Sequence, residues 1–211
     1  MHPRIVCALL IAGAVATAWI GRHTALTAVA RLLVAEDPLA PVQMIVVSLA
    51  SPIADTLEAA RLYRDGLSST ILLPTWAPAP FHEEVRRLGI LIPEPTELAM
   101  KILEQSGVPA AAIQVLPGAA DGTATEVAVV AAFARTRRPE SILFVAARSH
   151  SARVRFFLGR ALPAQTRLIV HSPINDPFVP ESWWHSRQQS REVIIEYLRW
   201  ANAFVLGDLW S

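Results

Sequence analysis

The feature that most constrains this chain is an alternation of short apolar runs with longer helical stretches. Met44–Ser48 (MIVVS), Thr70–Leu73, Ile113–Leu116, Ser141–Ala146 (SILFVA) and Leu168–His171 are rich in β-branched residues and short. Runs of that length and composition read as strands buried on both faces. Between them lie stretches with helical signals. Pro52 opens one that closes at Gly66, Thr96–Ser106 is closed by Gly107, and Thr123–Arg135, Ser149–Leu162 and Ser186–Leu206 follow. Phe81–Leu88 predicts a short helix, and the proline-rich segment from Trp76 to Pro80 predicts irregular chain. Strand–helix alternation of this kind predicts an α/β, Rossmann-like three-layer fold with a mainly parallel sheet of about five strands. In such sheets ligands sit beyond the carboxyl ends of the strands. The residues that follow each strand are therefore the ones to inspect.

The first forty residues are of a different kind. Ile5–Ile20 carries no charge and is followed by Gly21, Arg22 and His23. About 16 residues span roughly 24 Å as a helix, slightly short of a hydrocarbon core of about 30 Å. Three readings stand: an uncleaved membrane anchor, a signal peptide cut near Ala14 and Ala16, and a buried core helix. The anchor is the preferred one, so an N-terminal transmembrane helix is expected. The expected organisation is an anchor or signal segment over 1–23, a connecting amphipathic helix over 24–40 and an α/β domain over 41–211. The stop at Glu36-Asp37-Pro38 ends the connecting helix.

Composition narrows the function. Hydrophobic residues make up 53% of the chain and charged residues 18%, which favours a packed core. The net charge of +1 gives no basic face for nucleic acid, so no nucleic-acid partner is expected. The single cysteine, Cys7, rules out a disulfide within the chain. No G-x-G-x-x-G, Walker loop or G-x-S-x-G elbow occurs, and no cofactor is expected. The six histidines show no close ligand pairing, so no metal site is expected. Nothing in the sequence fixes an oligomeric state.

Two strand-to-helix junctions carry the candidate chemistry. Ser149-His150-Ser151-Ala152-Arg153 follows the SILFVA run. His150 and Arg153 share one helical face, and a helix start favours an anion. Asp121–Glu126 (DGTATE) is the second junction. Thr123 and Glu126 match a capping box, and Glu126 can also point toward His150. The expected roles are His150 and Glu126 as acid/base groups, with Arg153, Thr123 and Ser149 binding the ligand. Trp183, in the Trp183-Trp184-His185 run, is a candidate wall for a sugar ring. Glu196 can reach inward, but a surface ion pair with Arg199 is the simpler expectation.

Taken together these segments resemble the YdcF-like family, which includes SanA and ElyC. The resemblance rests on Leu32–Pro41, Ala59–Gly66 (AARLYRDG), Gly107-Val108-Pro109, Thr123-x-x-Glu126, His150-x-x-Arg153, and the Trp183-Trp184 and Glu196 ending. The family's glycine pairs are replaced here by Ser48–Ser51 and Pro74–Trp76. The resemblance implies a Rossmann-like domain tethered to a bacterial cytoplasmic membrane by a single pass, with the domain on its outer side. It implies a link to the cell envelope, and with the candidate residues the expectation is binding or processing of an anionic cell-envelope precursor: a lipid-linked phosphate, a glycan or a peptidoglycan intermediate. The alternative is a non-catalytic envelope factor with a degenerate site. Whether any reaction is catalysed stays open at this point.

Overall fold

The computed structural model describes residues 13, 19–48, 50–77 and 81–206. Five strands, β1 (Met44–Val47), β2 (Ile71–Trp76), β3 (Ile113–Ala120), β4 (Ser141–Val145) and β5 (Arg167–His171), form one sheet. Every pairing is parallel, and the order is β3-β2-β1-β4-β5. The chain therefore winds outward from β1 on one side and from β4 on the other. The boundary between β1 and β4 is the topological switch point, where a crevice opens in this class of fold.

The strands alternate their side chains between two cores, as a period of two requires. Ile45, Val47, Leu143 and Val145 face α2 (Pro52–Arg64) and α4 (Pro95–Gln105), packing with Leu62, Ala99 and Leu103. Val46, Ile142 and Phe144 face α5 (Thr123–Arg137) and α6 (Ser151–Ala161), packing with Val130, Val154 and Leu158. The long α7 (Arg187–Leu206) adds Ala203 to that second core. A short helix, α3 (His82–Arg87), precedes α4 and buries nothing.

Most expected elements form close to the expected residues. Gly66 ends α2 at φ +78, a left-handed conformation that suits glycine. One strand differs. β2 runs through Pro74 to Trp76, where the sequence reads as a strand already ended. The register against β3 shifts between Pro74 and Thr75, and a bulge tolerates a proline that cannot donate to the ladder. The extension matters because it carries Trp76 out to the end of the sheet.

The expectation of a single-pass membrane protein is corrected. Among the described residues, no helix is long and apolar enough to cross a membrane. The run Ile5–Ile20 lies almost wholly outside the described residues. The helix over 19–31, α1, carries Arg22, His23 and Arg31 and is docked on the domain. Ala30, with Leu33 just beyond the helix, packs against Phe178 and Val193, and Tyr197 Oη donates to Val29 O at 2.6 Å. The chain then runs beside β5: Asp37 N–H donates to Val170 O, and the Asp37 carboxylate accepts from Val170 N–H and pairs with Arg155.

Candidate functional site

A cleft of about 740 Å³ opens beyond the carboxyl ends of the strands. Ala50 follows β1, Trp76 ends β2, Asp121–Thr125 joins β3 to α5, and His150 and Arg153 follow β4. All of these line the cleft. Phe157 of α6, with Ile195 and Leu198 of α7, supplies an apolar wall. A second lobe of about 350 Å³ continues around His150 toward β5, and Ala50, His150, Ile195 and Arg199 line both.

His150 is the hinge of this arrangement. It is 5% exposed and lies between three polar neighbours. Arg153 Nη2 is 2.9 Å from His150 Nδ1. A guanidinium can only donate, so Nδ1 is the acceptor and the proton of the neutral ring sits on Nε2. That Nε2–H points to Thr123 Oγ1 at 3.4 Å, on the cleft side. Burial is the main force pushing the His150 pKa below its ordinary value, and the Arg153 charge adds to it. Glu196 pulls the other way, but its Oε2 stands 3.6 Å from Nδ1, beyond hydrogen-bond range. His150 is thus a neutral donor facing the cleft.

Arg153 is held rather than free. Its Nε and Nη2 donate to Glu196 Oε2 at 2.8 Å and Oε1 at 3.2 Å, in the forked geometry typical of this pair. Glu196 also accepts from Arg199 Nη1 at 2.5 Å. The expected surface ion pair does form, but Glu196 is only 3% exposed and turns inward as well. Burial pushes its carboxyl upward. The forked hydrogen bonds and the charge of Arg153 outweigh this and hold it well below the usual carboxylate range. Arg153 therefore positions the imidazole more than it offers charge to a ligand.

No family model matches this chain, and neither a curated protein nor a solved structure does.

Several expected placements change. Glu126 is fully buried beneath the cleft and lines neither lobe; Ser48 Oγ donates to its Oε2 at 3.3 Å. Thr123 and Glu126 do not form a capping box, because Thr123 is the first residue of α5 rather than its cap. Thr125 does the capping: its Oγ1 accepts from the N–H groups of Asp121 at 3.0 Å and Gly122 at 3.1 Å. The start of α6 is covered too. Ala152 N–H donates to Leu33 O at 3.1 Å, so the segment after α1 closes that helix end. Ser149 lines the smaller lobe. Trp183 lines neither lobe; its Nε1–H donates to Leu26 O at 2.8 Å, pinning α1 to the domain.

The anion-friendly helix start is consequently that of α5. The first-turn amides of Thr123, Ala124 and Thr125 have no acceptor within the helix, and all three residues line the cleft. The helix dipole adds partial positive charge there. His150 Nε2–H, the Thr123 hydroxyl and the half-exposed Arg199 complete the polar side, with Asp121 at the same junction. Among the described residues, no group of three or more His, Cys, Asp or Glu is placed to hold a metal ion.

Sequence reasoning missed Trp76, Asp176 and Asp55. Trp76 was hidden by the Pro74 bulge. Asp176 lies in the loop after β5, where its carboxylate accepts from Arg148 N–H and Phe178 N–H at 2.8 Å each. Asp55 reads as an ordinary acidic residue in the first turn of α2, yet it is fully buried and neither carboxylate oxygen has a hydrogen-bond partner.

Proposed function

We propose that this chain binds a small anionic ligand, a phosphate or carboxylate attached to an apolar or ring-shaped body, in the cleft between α5, α6 and α7. The single observation behind this reading is the convergence of the α5 amides and His150 Nε2–H on the cleft wall. Donors of both kinds match the oxygens of an anion. The apolar wall of Trp76, Phe157 and Leu198 suits the remainder of the molecule, and about 740 Å³ falls within the range of small-metabolite sites.

The reading is of binding, not turnover. A general base must take up a proton, and the Arg153 donor on Nδ1 together with burial opposes that at His150. Glu126, the other candidate, lies under the floor. This favours the binding half of the first functional alternative, recognition of an anionic ligand, over both its processing half and a factor with a degenerate site. The resemblance to YdcF-like proteins adds anionic cell-envelope precursors, such as lipid-linked phosphates or peptidoglycan intermediates, as the class to screen.

Calorimetric titration with inorganic phosphate and with a sugar phosphate tests the reading. The wild type binds both, the sugar phosphate more tightly. His150→Phe and Thr123→Val each weaken binding by about tenfold, as expected for loss of one hydrogen bond to a charged group. Absence of binding in the wild type, or wild-type affinity in both variants, contradicts it.

A further inference from the structure

The smaller lobe differs in charge from the larger one. Asp176, Glu192 and Glu196 line it, against Arg199 and the neutral His150. Glu196 is neutralised by Arg153 and Arg199. Asp176 and Glu192 are not: among the described residues neither forms an ion pair. Asp176 accepts only from backbone amides, and Glu192 accepts from Gln188 Nε2 at 3.1 Å. In the larger lobe, Asp121 stands against Arg153 and Arg199. With those two arginines offset by Glu196, the larger lobe is near neutral, and the acidic excess lies on the smaller-lobe side of His150.

A second observation points to a ligand. Asp55 stands behind the wall of the smaller lobe. Its neighbours Ala54 and Ser51 line that lobe, and Ala50 lines both. Its carboxyl is fully buried, and neither oxygen has a hydrogen-bond partner. A buried carboxyl left in that state is costly, and native structures keep few such groups without a reason. Burial is the main cause that pushes its pKa up, to about 9, and the charges of Glu126 and Asp176 add to it; the Ser51 N–H acts weakly in the other direction, without hydrogen-bond geometry. A cation in the lobe would reverse this balance, since it favours the ionised carboxylate.

We propose that the smaller lobe is a subsite for a protonated amine, with Asp176 and Glu192 as its lining counter-charges and Asp55 as a buried one behind them. The ligand class this defines is an amine-bearing anion. Its phosphate or carboxylate occupies the larger lobe at the start of α5, and its ammonium group reaches around His150. This rests on the anion reading of the larger lobe. It adds a consequence that reading lacks: the amine draws the proton off Asp55, so binding releases a proton to solvent.

The test uses the full chain and three probes: inorganic phosphate, O-phosphoethanolamine and ethanolamine. O-phosphoethanolamine is expected to bind about tenfold more tightly than phosphate, the gain typical of a charge-assisted contact. Its binding heat is expected to depend on the buffer's ionisation enthalpy near neutral pH. Asp55→Asn and Asp176→Asn each remove that tenfold advantage and leave phosphate affinity unchanged, and Asp55→Asn also removes the proton release. Equal affinity for phosphate and O-phosphoethanolamine in the wild type overturns the subsite, whatever the variants do. So does an advantage that survives in both variants. If phosphate does not bind, the anion reading has failed on its own. Ethanolamine then decides the subsite: saturable binding lost in Asp176→Asn upholds it, and no binding overturns it.

Discussion

Arg153 and Glu196, 43 residues apart in sequence, form a forked pair at 2.8 and 3.2 Å with both side chains under a tenth exposed. The pair joins α6 to α7 in the wall between the two lobes and presents the free Nη2 hydrogen to His150. Removing one partner of a buried pair leaves an uncompensated charge, which costs about 3–5 kcal/mol. Glu196→Ala is therefore expected to destabilise the fold by about 3 kcal/mol in urea unfolding. Replacing both residues, as Arg153→Met with Glu196→Leu, should recover most of that loss. A double variant as unstable as the single one would show that the pair's ionic character is not what costs.

His150 gives a pH signature. Its folded-state pKa lies below the ordinary value of 6.5, so the native imidazole is neutral where the unfolded one begins to charge. The stability it contributes is complete above about pH 6.5 and is lost as pH falls toward its folded pKa. Sulfate, whose charge is constant over this range, should bind without weakening as pH rises through the ordinary histidine range. Sulfate affinity that falls with an ordinary histidine titration would mean that His150 binds as a cation.

The fold was legible in the sequence because its strands are buried on both faces, which forces unbroken β-branched runs such as Met44–Val47 and Ser141–Val145. The prolines were harder. Pro74 reads as a stop, and only the bulge against β3 lets the strand continue to Trp76. The site was legible in part. His150 and Thr123 do meet, because both stand at helix starts after strands. Glu196 was harder to place, since its neighbour Arg199 at i,i+3 offers a complete local explanation and Arg153 is visible only in three dimensions. Trp183 fits either a cavity wall or area buried under the long loop by sequence pattern, and its N–H serves α1. Nothing local distinguishes Asp55 from a helix-start acid that faces solvent.

Asp55 itself predicts an unusual stability profile. A carboxyl with a pKa of about 9 in the folded state and an ordinary one when unfolded is neutral in the native protein at neutral pH. The unfolded state then holds fewer protons, so stability falls as pH rises from the ordinary aspartate range toward 9. Asp55→Asn removes the penalty and is expected to raise stability near pH 7 by about 2 kcal/mol. The gain should vanish below about pH 4. A variant less stable than the wild type at neutral pH contradicts this account of Asp55.

One turn further along α2, Glu58 accepts from His171 Nε2 at 2.8 Å and from Arg61 Nη2 at 2.5 Å. Burial raises its pKa, and these partners, with the Ile174 N–H, outweigh it and lower the net value to about 2. Its contribution is present above the ordinary glutamate range and is lost as pH falls toward 2. Glu58→Gln should therefore flatten the acid limb of the stability curve, measured by urea unfolding between about pH 5 and pH 3. An unchanged acid limb would remove Glu58 from the acid response.

The most direct test of the central claim is amide and imidazole NMR of the full chain during a titration with inorganic phosphate. The account predicts saturable shifts concentrated at the backbone N–H groups of Thr123, Ala124 and Thr125 and at the His150 ring, with His150 remaining neutral throughout. Shifts confined to exposed arginines such as Arg31 and Arg87, or none that saturate, would contradict an anion site at the start of α5.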